Sequence, residues 1–265
     1  MILITGASGQ LASLVANKAK EAGLHFMTAS RAPDAGRQMD FDQPASLKFT
    51  DIDILFLTSA GYAEDDVVMR RHANVLAAAR DQGVKHVIYT SLSCASDHLG
   101  FALAHRWTEQ ALRDSGMAWT ILRNGLYAEL IGTLAAPQNG RITAPFGVTG
   151  ISAVAREDLA QAAITVLMDT ASHANASYEL SGVSAFTLPD IARRIGAHYE
   201  PTSLGAARAR LDTLQLLPFQ PSMIMSIYAA AMAGFLKTET CDLMKLVPRP
   251  NDALDIACAV AQQTT

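Results

Sequence analysis

Short, almost wholly apolar runs alternate with segments of helical period through the first 125 residues. Residues 2–5 form the first run, and residues 10–22 follow with Leu11, Leu14, Val15 and Ala19 on one helical face and Gly23 as a stop. Apolar residues dominate again at 25–29, and a short strand is expected over 37–41. The run 53–58 has almost no polar position, as a central parallel strand covered on both faces requires. A helix over 64–82 turns Val68, His72, Val75, Leu76 and Ala79 inward, and a strand at 86–90, a helix at 103–114 and a strand at 118–122 come next. This alternation predicts βαβ units and an α/β fold with a doubly wound parallel sheet.

Beyond Arg123 the pattern loosens. Gly125, Gly132, Pro137, Gly140, Pro145, Gly147 and Gly150 break the chain into loops, the usual setting for substrate contacts. A helix over 156–168 and a strand over 178–180 return to the sheet, whereas the chain from Thr187 onward is mostly helical and rich in Ala, Leu and Met. The expected organisation is a dinucleotide-binding domain of residues 1–125 and 151–182, with a smaller, mostly helical substrate cap of residues 126–150 and 183–265.

Charge and cysteine content remove several function classes. The formal net charge is −4 and the basic residues are scattered, so no nucleic-acid partner is expected. Cys94, Cys241 and Cys258 lie far apart with no metal-ligand spacing, so neither a disulfide framework nor a metal site is expected. The first residues carry no basic n-region, and the apolar stretch 222–236 is shorter than the ~20 residues of a membrane-spanning helix. A cytoplasmic protein without membrane attachment is the expectation.

The chemistry begins directly after the first strand, at Gly6-Ala7-Ser8-Gly9-Gln10-Leu11-Ala12, a GxxGxxA turn that opens the first helix. Small residues are needed there because backbone N–H groups at a helix tip must approach a pyrophosphate. Where the second strand ends, an Asp or Glu would bind the ribose 2′-hydroxyl of NAD. This chain has Ser30-Arg31 instead. The guanidinium of Arg31 suits a 2′-phosphate, which predicts NADP(H); the other reading of Arg31 is a solvated loop arginine. Asp40 and Phe41 are placed beside the adenine. Thr58, Ser59 and Ala60, with Thr90 and Ser91, end the next strands on the same rim and are expected along the cofactor.

Together the glycine turn, HANVLAAARDQGVKHVIYTSL at 72–92, the pair His105 and Glu109, and LRNGLYAE at 122–129 resemble the NmrA-like atypical short-chain dehydrogenases. Within that family the likeness is to NADPH-dependent quinone oxidoreductases and triphenylmethane reductases, and it extends through residues 156–160, 178–182 and 246–250. The resemblance implies direct hydride transfer from NADPH to a quinone or similar electrophilic aromatic molecule. Short-chain dehydrogenases usually carry a YxxxK pair, but the corresponding helix here reads His105-Arg106-Trp107-Thr108-Glu109. An electron-poor acceptor needs little carbonyl activation, so orientation and exclusion of water carry more of the reaction.

Two readings of His105 stand: an acid or hydrogen-bond donor near the nicotinamide, or a helix histidine that packs or caps. Asn124 and Tyr127 offer an amide and a phenol to a carbonyl oxygen, or Tyr127 anchors its loop. The chain departs from the family pattern at Leu126, Leu130 and Ala12, where relatives carry an aromatic residue, an amide and a glycine. The first two question the acceptor rather than the cofactor. A cap rich in methionine, with Met223, Met225 and Met232, suits flat aromatic ligands. The contrasting functions are a non-catalytic NADP(H)-binding redox sensor and, with less support, a reductase of plant-type phenolics. Monomer and homodimer both remain open.

Overall fold

Along each strand of the sheet, neighbouring side chains go to opposite hydrophobic layers. In the computed structural model, which describes residues 1–32, 35–61 and 63–263, the chain opens with β1 (Ile2–Thr5), α1 (Gln10–Glu21), β2 (Phe26–Ser30) and the two-residue β3 (Arg37–Gln38). It continues through β4 (Ile54–Leu57), α2 (Asp65–Asp81), β5 (His86–Leu92), α3 (Ala102–Arg113) and β6 (Ala118–Asn124). Then come α4 (Ala128–Leu134), β7 (Arg141–Thr143), α5 (Arg156–Met168) and β8 (Ala176–Leu180). Ile4, Phe56, Ile88 and Leu122 pack with α1 and α5, while Leu3, Leu55, Val87, Tyr89 and Ile121 pack with α2 and α3. Both faces being apolar, the strands read as nearly continuous hydrophobic runs.

Seven strands form one sheet in the order β3-β2-β1-β4-β5-β6-β8, every pair parallel. The order reverses between β1 and β4, so a crevice opens at their carboxyl ends. This is the doubly wound sheet expected from the sequence. Its middle is firmer than the pattern implied, because β5 and β6 pair over seven residues, from His86 with Ala118 to Leu92 with Asn124. By contrast, β3 is shorter than the expected 37–41. Its continuation is taken by a turn in which Asp40 N–H donates to Ser46 Oγ and the Asp40 carboxylate accepts from Asp42 N–H.

The carboxyl-terminal part contributes α6 (Leu188–Ile195), β9 (His198–Glu200), α7 (Leu204–Leu211), α8 (Gln220–Met232), α9 (Leu243–Leu246) and α10 (Ala253–Gln263). A third apolar cluster joins α4, α6, α7, α8 and α10, drawing Ile131, Ile142, Ile191, Leu211, Ile227 and Ala257 together. Strands β7 and β9 pair parallel within this region as a separate two-stranded sheet. Residues 241–247 had been expected in the cap. They return to the main sheet instead: Leu243, Leu246 and Val247 join the α1/α5 layer, and Glu179 exchanges hydrogen bonds with Asp242. No helix among the described residues is long and apolar enough to cross a membrane.

Helix α4 lies where the glycine and proline pattern had predicted loops. Gly132 explains the discrepancy, because it is a packing glycine rather than a breaker. A Cβ built there would stand 2.5 Å from the Ala257 carbonyl oxygen and 2.9 Å from Val260 Cβ, so α4 and α10 approach through the missing side chain. In an ordinary helix Gly→Ala stabilises by ~1 kcal/mol. Here the overpacking cost of about 1–3 kcal/mol opposes and exceeds it. Gly132→Ala should therefore lower the urea midpoint, by about 1 kcal/mol in folding free energy. A raised midpoint would mean that α10 yields without cost.

Candidate functional site

The site is built on the turn between β1 and α1. Gly6 has φ +70°, a left-handed conformation that glycine adopts without strain, and a Cβ there would meet the Thr58 side chain at 3.3 Å. A Cβ on Gly9 would lie 3.2 Å from the Gly6 carbonyl. Gly9 caps α1 with no side-chain bond, and the first turn holds no acidic residue. The N–H groups of Gln10, Leu11 and Ala12 consequently find no partner among the described residues. Three free donors and the positive end of α1 thus face the crevice, an arrangement fit for phosphate.

That crevice is a cleft of about 600 Å³, within the usual range for cofactor sites. Gly6, Ser8, Gly9, Gln10 and Leu11 form one wall, and Arg31, Asp40 and Phe41 line the end near β2 and β3. Thr58, Ser59 and Ala60 form the floor beyond β4. The Thr58 hydroxyl oxygen is buried without a hydrogen-bond partner among the described residues, so the floor offers an unused polar atom. Arg31 is exposed and forms no ion pair among the described residues. Asp40 lines the cleft, but its carboxylate already accepts from Asp42 N–H at 3.0 Å and Gln43 Nε2 at 3.1 Å.

Three further residues line the cleft, Arg71 beside Asp42 and the pair Tyr127 and Arg156. Of these only Tyr127 was singled out, as an acceptor contact. Arg71 donates Nε and Nη2 to one oxygen of Asp42 at 3.0 and 2.7 Å, and this pairing holds the Asp42 carboxyl below its usual range. The Arg156 guanidinium lies over the Tyr127 ring at 4.5 Å from its centroid. Burial raises the Tyr127 phenol, which keeps it protonated.

Several sequence-derived candidates stand outside the cleft lining. Thr90 supports it from behind, accepting the Ser59 N–H at 3.0 Å. Ser91 points to the other face of β5, where its hydroxyl donates to Glu109 Oε1 at 2.6 Å. Asn124 is buried beside the Tyr127 phenol, and its Oδ1 has no partner among the described residues. His105 is half-buried, with Nδ1 2.9 Å from the Tyr89 hydroxyl. Burial, reinforced by the Arg106 charge, lowers its pKa to about 4, so the imidazole is uncharged at neutral pH.

Glu109, four residues after His105, is 1% exposed and accepts from Arg106, Arg113 and Arg123. Arg123 reaches both of its oxygens, at 2.9 and 2.7 Å. Burial alone would raise this carboxyl, but the bonds from Arg123 and Ser91 and the arginine charges carry it below the usual range. Glu109 thus sits in a structural ion cluster, while His105 on the same helix is tied to Tyr89 instead. A second polar chain runs beside it. Ala60 N–H donates to His72 Nε2 at 3.0 Å, which makes Nδ1 the protonated nitrogen facing Thr108 Oγ1 at 2.8 Å, and Thr108 donates on to the Ala104 carbonyl at 2.7 Å. In the sequence His72 occupied an inward helix position and gave no sign of this bond.

Comparison with known proteins places these features in context. A family profile described as NAD(P)H-binding matches residues 6–170. Quinone oxidoreductase 2 of Escherichia coli (strain K12) is 32% identical over 282 residues, covering 96% of each chain. Among solved structures, triphenylmethane reductase of Citrobacter sp. complexed with NADP(H) superposes with a TM-score of 0.87 at 27% identity, over 100% of this chain and 99% of the other. The NADPH-dependent quinone oxidoreductase of Escherichia coli complexed with NADPH gives 0.86 at 31% identity, covering both chains completely, at 100% each.

The buried histidines make folding sensitive to acid. Burial lowers the pKa of His72 to about 3, that of His105 to about 4, and that of His86 to a smaller extent. Below the unfolded value near 6.5 the unfolded chain binds protons that the folded chain refuses, so stability falls as pH falls. Each fully suppressed histidine contributes a slope of up to about 1.4 kcal/mol per pH unit between pH ~6.5 and its folded pKa. Urea unfolding from pH 7 to 5 should show this decline, and His72→Gln should flatten it. An unchanged slope in the variant would remove His72 from the account.

Proposed function

The chain belongs to the NAD(P)H-binding family, and from that premise we propose that it is an NADPH-dependent oxidoreductase that passes hydride to a quinone or similarly electron-poor aromatic acceptor. The carrying observation is the uncapped glycine turn of α1, opening into a cleft that also presents Arg31 at the end of β2. No carboxylate of β2 competes there for a ribose hydroxyl, so a 2′-phosphate meets a guanidinium rather than a like charge. The reduced nicotinamide, when bound, supplies the hydride.

The protein's own part is binding and orientation. The N–H groups of Gln10, Leu11 and Ala12 hold the pyrophosphate, Arg31 the 2′-phosphate, and Phe41 packs beside the adenine. The protonated Tyr127 phenol, with the buried Asn124 amide beside it, orients the reacting end. His105 serves better as a support than as an acid, since it is uncharged and tied to Tyr89. The proton that completes reduction of a quinone then comes from water, which suffices for an oxygen anion stabilised by an aromatic ring. Relatives named for quinones and triphenylmethane dyes support an acceptor of this class. Leu126 is buried and Leu130 half-buried, both packed in the apolar cap cluster.

Loss of NADPH absorbance should saturate with at least one member of a panel of benzoquinones, naphthoquinones and triphenylmethane dyes. Tight NADPH binding with no turnover on any of them would turn the assignment to a redox-sensing regulator. Arg31→Ala should raise the KM for NADPH about tenfold or more while leaving that for NADH nearly unchanged, since one charge-assisted phosphate contact is lost. Equal losses for both would refute the 2′-phosphate role.

A further inference from the structure

Arg156 is the first residue of α5, and its side chain is 18% exposed. Among the described residues its guanidinium donates no hydrogen bond. Glu129, its nearest carboxylate, stands at 3.6 Å from Nη1 and instead accepts the Arg156 backbone N–H at 3.1 and 3.4 Å. The other well-buried arginines behave differently: Arg71, Arg106 and Arg123 each donate to carboxylates at 2.7–3.0 Å. A guanidinium carries five N–H donors, and leaving them unmet in a largely enclosed place is costly. The Tyr127 ring lies beneath it, 4.5 Å from centroid to Cζ, and both side chains line the same cleft as the α1 tip.

Charge balance identifies what those donors await. The tip of α1 offers only about half a positive charge to a pyrophosphate that carries a negative charge on each phosphate. Arg31 stands with Asp40 and Phe41 at the β2 and β3 end, and Arg71 is neutralised by Asp42. We infer that Arg156 is a second pyrophosphate contact, gripping the phosphate on the nicotinamide side with a fork packed on Tyr127, while α1 takes the adenosine-side phosphate. The fork geometry suits phosphate oxygens, and a neighbouring aromatic face accommodates the cation. This assignment rests on the cofactor reading above and adds a residue to it.

Calorimetry with three ligands tests the contact: NADPH, 2′-phospho-ADP-ribose, which keeps the pyrophosphate without the nicotinamide, and adenosine 2′,5′-bisphosphate, which lacks the second phosphate. Arg156→Gln should weaken the first two by about 10- to 100-fold, the loss typical of a charged hydrogen bond. It should leave the third within about twofold, since that ligand does not reach Arg156. Retained binding of the bisphosphate also shows that the variant cleft is folded. Arg156→Lys, which keeps the charge but not the fork, should recover part of the loss. Unchanged affinity for 2′-phospho-ADP-ribose in Arg156→Gln, or an equal loss on all three ligands, overturns the inference while the NADPH assignment stands. Failure of the wild-type protein to bind any of the three overturns both.

Discussion

Helix α1 begins on a glycine that cannot cap it, and the three N–H groups left without partners set the requirements for everything around the cleft. Phosphate satisfies such donors only if backbone, not side chain, meets it, and a Cβ on Gly6 or Gly9 would crowd its neighbours at 3.3 and 3.2 Å. The order of the sheet follows the same need. Because β1 and β4 lie side by side with their connections leaving in opposite directions, the helix tip beyond their carboxyl ends is left uncovered. Thr58, whose side chain sits against Gly6 and whose hydroxyl oxygen is unpaired, belongs to that junction.

Behind the floor, the polar groups are spent on rigidity. His72 holds Ala60 through a fixed tautomer, Thr90 holds Ser59, and Tyr89 stands between His72 and His105, with ring centroids 5.5 and 6.0 Å away. Glu109 draws arginines from its own helix α3 and from β6 into one cluster, while Ser91 ties that cluster to β5. Removing one partner from such a cluster leaves a buried charge unmatched, at a cost of about 3–5 kcal/mol. Helix α3 therefore uses Glu109 and Thr108 to secure the scaffold behind the cleft.

What the sequence disclosed depended on how local the signal was. The strands β1, β4 and β5 and the glycine turn are each written within a few consecutive residues, so their places were legible. Arg31, Phe41 and Ala60 were placed by counting to strand ends, and all three line the cleft. The same rule misdirected Ser91, because a strand end has two faces and only Thr90 shares the side that supports Ser59. Helix α4 was hidden because Gly132 reads as a break unless α10 is known to lie against it, 125 residues later at Ala257. Arg156 matched the pattern of a helix start; its relation to Tyr127 crosses from the start of α4 to α5 and has no local trace.

At neutral pH the ionisable groups near the reacting end divide sharply. His72 and His105 are held uncharged by burial, and the Tyr127 phenol is held protonated. The cations on the cleft are guanidiniums. The fold that presents them weakens in acid through the same histidines that brace its floor. Acid should thus remove activity by loosening the scaffold. Orientation is what the cleft contributes, since no group lining it has to exchange a proton for a cofactor and an acceptor to be held together.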